Sequence, residues 1–300
     1  MIKIHSKRLK ASLAITTTVG CRNRCSYCPQ DVFVRAYKER SGVTVMSMDT
    51  FTRCLGTVPR NIAISFSGFS EPWLNRECTP MVLHAHRQGY RIRVNTTLIG
   101  MKPEDIDRLR PVPFIKFVVH LPDDRHLTGI RVDRQYLDNL VCLLEESPLN
   151  LTWKFHSSSS GTEIHPEVQE ILRQYRAKVG IFGLNNRAGR AVTGHAYRPV
   201  NRGRVLRECQ DFHHNILLPN GEVALCHMDW SLKHVLGNLL TGTYADLYTG
   251  REFRELQRAL LQPEADMLCR ACEKDVVRRS PAAALIHRIG QKLSGEKDLY

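Results

Sequence analysis

The sequence predicts an α/β fold: a parallel sheet built from repeated strand–helix units, followed by a small appendage of short strands and turns. Three observations carry that expectation. Short apolar strands alternate with amphipathic stretches through about residue 185. Six such repeats can be traced, fewer than the eight that close a full (β/α)8 barrel. From Leu206 onward the pattern changes to short strands and turns. A chain of 300 residues with 42% apolar content suits one large domain and an appendage. The expected division is 1–205 for the repeats and their linker, 206–280 for the appendage and 281–300 for a tail.

Taken in order, the run Leu13-Ala-Ile-Thr-Thr-Thr-Val-Gly-Cys21 has the β-branched richness of a buried strand, broken at Gly20 by a loop. A helix is expected over 46–56, a strand over 61–66, and a helix over 79–88 that ends near Gly89. Strand 91–95 precedes a short helix over 103–110, with Pro103 in its first turn and acids close behind. Strand 114–120 and helix 134–146 follow, then strand 149–156, helix 166–175 and strand 179–184. Residues 185–204 are rich in Asn, Arg, Gly and His and read as a linker across the mouth of the sheet. The segment Leu218-Pro-Asn-Gly-Glu-Val-Ala-Leu-Cys226 reads as a hairpin turning at Pro-Asn-Gly. Residues 279–300 suggest a peripheral helix or a frayed tail.

The net charge of +13 is concentrated in two places. Nine Lys or Arg and no acid lie between Arg173 and Arg207, and nine stand against Asp31 and Glu39 in the first 40 residues. Such stretches attract an anionic substrate, partner or redox protein, or form a solvated basic face. Nucleic acid lacks support, because no zinc-finger, RNP or Gly-x-x-Gly clamp motif is present. No apolar segment approaches a membrane span. Ten cysteines without an export signal suggest a reducing cytoplasm in which thiols serve metals.

Seven of the ten cysteines fall into two groups. Cys21, Cys25 and Cys28 are spaced C-x3-C-x2-C with Tyr27 before the last, on a loop delivered by the first strand. Three thiolates are one short of the four that ligate a [4Fe-4S] cluster, which leaves one iron open to a ligand from outside the protein. Zinc usually takes shorter spacings and a fourth ligand; a disulfide framework is not needed in a chain this long. The second group is Cys209, Cys226, Cys269 and Cys272. Four thiols suffice for a fully ligated cluster or a structural zinc, and spacing alone does not choose.

At this point the chain resembles the radical S-adenosylmethionine (SAM) superfamily, whose hallmark is the three-cysteine loop with an aromatic before the third cysteine. The resemblance implies an open partial (β/α)6 TIM barrel with its chemistry at the carboxyl ends of the strands. It implies a [4Fe-4S] cluster on Cys21, Cys25 and Cys28 with SAM on the open iron. Ser67-Gly-Phe-Ser-Glu71-Pro72 stands where relatives carry a Gly-Gly-Glu-Pro-like turn. Gly68, Ser70, Glu71 and Pro72 are thereby expected to hold the methionine moiety, with Glu71 accepting from its ammonium. Ser70 departs from the glycine common there. Asn95 and Thr96, ending the third strand, and His120 and His156, ending the fourth and fifth, are further cofactor candidates; ordinary strand-end packing is the alternative for each.

The order Cys, Gly-x4-Cys, Cys-x2-Cys, with Gly237-Asn-Leu after the second cysteine, resembles the shortened SPASM appendage called a twitch domain. That resemblance implies one auxiliary [4Fe-4S] cluster on Cys209, Cys226, Cys269 and Cys272. It extends to 2-deoxy-scyllo-inosamine dehydrogenase and implies a two-electron oxidation of a secondary alcohol on a sugar, an aminocyclitol or an anionic derivative, as in antibiotic biosynthesis. A flavodoxin- or ferredoxin-type protein would supply electrons. Asp229 and then His227 are the candidate general bases, and Arg187 and Arg190 the candidate substrate contacts, against surface, packing or linker roles. Other readings stay open. An epimerase would need a cysteine as hydrogen donor, and Cys78 is the unassigned thiol nearest the mouth; Cys54 and Cys142 read as buried fillers. Modification of a ribosomal peptide is less expected, since only 20 residues precede Cys21. A non-catalytic iron–sulfur or zinc-binding interaction protein is the remaining alternative.

Overall fold

The computed structural model describes residues 11–145, 149–156, 161–191 and 200–274. The helix or tail expected over 279–300 lies outside the described residues. Six strands form the first part of one sheet: β1 (Ser12–Ile15), β2 (Ala63–Phe66), β3 (Ile92–Thr96), β4 (Lys116–His120), β5 (Leu151–His156) and β6 (Val179–Phe182). All five pairings among them are parallel and join consecutive strands. The winding therefore never reverses, which separates this sheet from a doubly wound one and gives it barrel-like curvature. The sheet does not close, so the fold is the partial barrel expected.

Helices α1 (Gln30–Lys38), α2 (Met48–Gly56), α3 (Cys78–Arg87), α4 (Pro103–Leu109), α5 (Arg134–Glu145) and α6 (Pro166–Gln174) lie between the strands. Local chemistry sets their starts. Ser47 caps α2 by accepting Thr50 N–H at 3.1 Å. Pro103 opens α4, and Asp105 returns a carboxylate to Lys102 N–H at 3.0 Å. Helix α1 is absent from the sequence reading. Only Phe33 and Tyr37, one turn apart, bury its inner face.

The register divides every strand into two faces. Ile15, Phe66, Val94 and Phe117 stand side by side, as do Val119 and Trp153. This face is buried against Phe51, Leu55, Met81, Ile106, Leu140 and Leu172 from the helices. Full burial of side chains of this size is worth about 1.5–3 kcal/mol each, which makes this layer the main source of stability. The inner face is polar: Ser65, Arg93 and Lys116 form one row, His120, Lys154 and Gly180 another.

The chain then adds β7 (His214–Leu217), β8 (Glu222–Ala224) and β9 (Val235–Asn238), followed by α7 (Arg251–Leu260). The hairpin expected before Cys226 is formed by β7 and β8, antiparallel. Strand β7 also pairs in parallel with β1, aligning Ile15 with Leu217, so one nine-stranded sheet runs through the whole chain in the order β6-β5-β4-β3-β2-β1-β7-β8-β9. A second, smaller core forms where α1 meets the hairpin, from Phe33, Tyr37, Phe69, Ile216, Leu218, Trp230 and Leu232. Among the described residues no helix is long and apolar enough to cross a membrane.

Candidate cofactor and substrate site

The three-cysteine loop leaves the end of β1 and is held from two sides. Cys21 lies near the backbone N–H groups of Asn23 and Glu71, which oppose the rise that burial gives its thiol, and in the field of Cys28, while Cys28 N–H donates to Cys25 O at 2.9 Å. The neighbouring Cys25 thiol lowers Cys28 to about 7 against the opposing effect of burial, and Arg187 acts in the same direction. From below, Ser26 N–H donates to Leu127 O at 2.8 Å. Gly129 comes so close that a Cβ there would stand 1.5 Å from Asn23 O. The 123–130 loop owes its shape to Asp123, whose carboxylate accepts from Arg125, Leu127 and Thr128 N–H and from the Thr128 hydroxyl. This support is absent from the sequence reading; Gly129 and Asp123 carry its only signal.

The turn after β2 packs on the same loop. Gly68 adopts φ +103, and a Cβ there would come within 2.3 Å of Thr16 Oγ1, so only glycine fits. Ser70 Oγ donates to Thr18 O at 2.7 Å, and Thr17 Oγ1 donates to Pro72 O at 2.8 Å. The four residues expected to hold the methionine moiety are thereby pinned to the end of β1. Glu71 differs from expectation in its partners. One carboxylate oxygen accepts from Thr96 Oγ1 at 2.7 Å and Trp73 N at 3.3 Å; the other accepts from Thr97 N at 2.6 Å and Thr97 Oγ1 at 2.7 Å. An ionised carboxylate has about four acceptor directions, and all are used within the protein. Glu71 thus braces β2 to β3, with Thr96 as a partner on the helix-facing side. Its carboxylate is not free for an ammonium. Burial raises its pKa, opposed by these donors.

Asn95 lies on the inner face, beside Val118. His120 and His156 stack there with ring centroids 5.2 Å apart and planes 9° from parallel. Both are held below the usual imidazole range by burial first and by neighbouring positive groups, His156 to about 3. Tyr27 of the cysteine loop sits 5.9 Å from the His156 ring. Arg187 enters from the linker on a turn where it and Ala188 both adopt positive φ, 47 and 51. Two consecutive non-glycine residues in that region indicate a strained, overdetermined turn. Asn186 holds it, donating Nδ2–H to Ala271 O at 2.8 Å and backbone N–H to Glu273 Oε1 at 3.0 Å. The Arg187 guanidinium lies 5.8 Å from the Trp230 ring. Arg190 does not join it: that side chain lines a separate cavity of about 340 Å³ with Arg202, Lys233 and Asp266.

Cys226, Cys269 and Cys272 of the second thiol set are buried, and Cys209 is partly so. Cys209 precedes a short 3-10 turn, Cys226 follows β8, Cys269 lies within the turn Leu268–Arg270 and Cys272 two residues past it. Cys269 feels Cys209 and Cys272, and Cys226 feels Cys269, so the four share one region. Asn201 Nδ2 reaches the carbonyls of Cys269, Cys272 and Lys274 at 3.3, 2.8 and 2.9 Å. His234 accepts Leu268 N–H on Nε2 at 3.1 Å, which leaves Nδ1–H to donate to Glu252 at 2.7 Å.

Asp229, the first candidate base, is fully buried, with its oxygens accepting Lys233 N–H at 2.9 Å and His234 N–H at 2.8 Å. It shapes the turn after Cys226. His227 Nε2 stands 3.9 Å from Asp211 Oδ2, and Lys274 Nζ lies 2.7 Å from the same oxygen. Asp211 was not anticipated from the sequence; its place two residues after Cys209 is the only signal. Cys78 is a correction. It opens α3 with no exposed surface, packed between helix and sheet, and burial pushes its thiol well up. It does not reach the barrel mouth. Cys54 is equally buried, as expected of a filler, and Cys142 packs against the same core.

The residues present fit the expected cofactors. Gln30 Oε1, His156 Nδ1, Arg187 Nε and Trp230 Nε1 are buried polar atoms without partners around the cysteine loop and the Gly68–Pro72 turn, and such atoms call for a ligand or water. Among the described residues no three His, Cys, Asp or Glu side chains converge as ligands of a single metal ion.

Comparison with known proteins agrees with this geometry. Residues 209–273 match SPASM, the iron-sulfur cluster-binding domain. No curated protein sequence matches the chain. Among solved structures, BtrN in complex with AdoMet and 2-DOIA is 16% identical with TM-score 0.56, covering 90% of this chain and 95% of its own. anSMEcpe with bound AdoMet is 12% identical with TM-score 0.57, covering 96% of each chain. Streptococcus suis SuiB bound to precursor peptide SuiA is 12% identical with TM-score 0.58, covering 88% of this chain and 71% of its own. The chain shares the fold of these structures, and its matched segment is an iron-sulfur cluster-binding domain of the SPASM type.

Proposed function

We propose that this protein is a radical SAM oxidoreductase that removes hydrogen from a substrate C–H, most directly from a secondary alcohol of a sugar or cyclitol. The observation that carries the reading is the contact of three elements: the Cys21–Cys28 loop, the Gly68–Pro72 turn whose Glu71 N–H meets Cys21, and the Arg187 turn docked on the second thiol set. When bound, a cluster on Cys21, Cys25 and Cys28 with SAM supplies a 5′-deoxyadenosyl radical for hydrogen abstraction, and the auxiliary cluster accepts the second electron. The chain's own residues do the rest. Gly68, Ser70 and Pro72 orient the cofactor through backbone geometry, and Asn95, His120 and His156 lie on the inner face at the mouth. Trp230 and Phe69, 4.9 Å apart, seal the side facing α1 and keep water out. His227 is the candidate base, with Asp211 beside it to stabilise the imidazolium formed when it takes the hydroxyl proton.

The test is anaerobic reconstitution with iron and sulfide, then SAM and dithionite, with 5′-deoxyadenosine measured. Cys21→Ala is expected to abolish 5′-deoxyadenosine while retaining about half the iron, since two four-iron clusters are expected. Cys78→Ala is expected to leave turnover unchanged. Absence of 5′-deoxyadenosine from fully loaded wild-type protein would overturn the proposal. Oxidation of a peptide is the second reading, favoured by the likeness to anSMEcpe with bound AdoMet and Cp18Cys peptide at TM-score 0.57. Deuterium transfer from labelled alcohol or peptide into 5′-deoxyadenosine separates the two.

A further inference from the structure

The inner face of the barrel collects cations and imidazoles with little to balance them. Arg93, Lys116 and Lys154 project from β3, β4 and β5 on that face, with His120 and His156 among them. Lys154 pairs in register with His120, and its Nζ lies 4.3 Å from the Phe182 ring of β6. Arg187 arrives from the linker and Lys274 from beyond the second thiol set, both within electrostatic reach of Lys154.

Four carboxylates at this end of the barrel are already engaged. Asp211 is paired with Lys274 at 2.7 Å. Glu71 has four donors from its own chain. Asp229 closes its backbone turn, and Glu273 accepts Asn186 N–H. Among the described residues neither Lys154 nor Arg187 has an ion-pair partner, and Arg187 Nε is buried without an acceptor. Crowding among buried cations is unfavourable unless an anion joins them.

We infer that the substrate carries an anionic group, a phosphate or carboxylate on a polyol, and that Lys154 and Arg187 hold that group at the barrel mouth. The inference rests on the radical SAM reading and narrows its substrate class. An arginine fork and a lysine point charge together match the oxygens of a phosphate or carboxylate. A polyol bearing an ammonium would meet the same cations, with Glu71, Asp211, Asp229 and Glu273 already engaged. Arg187 also stands near Cys28, so part of its charge offsets the thiolates, which makes Lys154 the discriminating position.

The experiment uses reconstituted holoenzyme with SAM and three probes of like size: glucose 6-phosphate, glucose and glucosamine. Affinities are measured by calorimetry, and 5′-deoxyadenosine formation is followed in parallel. Glucose 6-phosphate is expected to bind at least about tenfold more tightly than glucose, with glucosamine weakest. Lys154→Met is expected to reduce that preference to within about threefold, with SAM affinity and iron content unchanged. Unchanged SAM affinity also shows that Lys154 serves the substrate anion rather than the carboxylate of SAM. Failure of glucose 6-phosphate to bind, glucosamine binding as tightly, or a preference that survives Lys154→Met would each overturn the inference. A lack of 5′-deoxyadenosine with the anion preference intact would instead count against the radical reading alone.

Discussion

Glu71 illustrates what one residue contributes when its partners are counted. The Glu-Pro pair after a strand was legible in the sequence, but the donors from Thr96 and Thr97 were not, because periodicity does not say which strand end a turn will face. Glu71→Gln replaces an acceptor oxygen with an NH2 group facing Thr donors. A loss of about 1.5–3 kcal/mol is expected, read by denaturant unfolding. Asp229 repeats the lesson: an acid shortly after a cysteine was easy to see, its role in bonding the backbone of its own turn was not. Lys154 allows a pH test. Burial, with Arg187, Lys116 and Lys274 nearby, lowers it from 10.5 to about 8 in the folded protein. The folded chain therefore bears the penalty of a buried cation below about pH 8, and the penalty is relieved as pH rises toward 10.5. Binding of an anion has the opposite trend. Affinity for glucose 6-phosphate should fall from about pH 7.5 to about pH 9.5, where its phosphate (second pKa about 6) stays dianionic, and Lys154→Arg should flatten that fall.

At the scale of elements, the strands and most helices were legible because β-branched runs and amphipathic periods alternate over 150 residues or so. The exception is α1. It starts directly after the cysteine loop, is nine residues long and buries only Phe33 and Tyr37, so its signal is short. Its packing comes from Trp230 and Leu218, distant in sequence. Trp230→Ala should destabilise by about 3–5 kcal/mol, seen as a lower midpoint in urea, since it empties the centre of this smaller core. The 123–130 loop makes a second element-level prediction. Gly129→Ala drives a methyl into Asn23 O and must displace the cysteine loop. Iron per chain should drop by about half, the part assigned to Cys21, Cys25 and Cys28, while the auxiliary cluster is kept.

At the scale of the whole molecule, a barrel of parallel repeats and a thiol-rich appendage were both legible, and their joining was not. Apolar strands such as β1 and β7 announce burial on both faces, and nothing in either names the other as neighbour. The structure resolves this by laying β7 along β1, so the appendage continues the sheet. The linker was expected at the mouth of the sheet, and Arg187 and Asn186 are the residues that fasten it.

The alignment of β1 with β7 also bears on how the protein comes into being. During synthesis Ser12 emerges about two hundred residues ahead of His214, a delay of roughly 10–40 s at about 5–20 residues per second. For that interval one flank of β1 has unmet amide and carbonyl groups, an adhesive border for any other nascent polypeptide. Dependence on a ribosome-associated chaperone follows naturally from that wait.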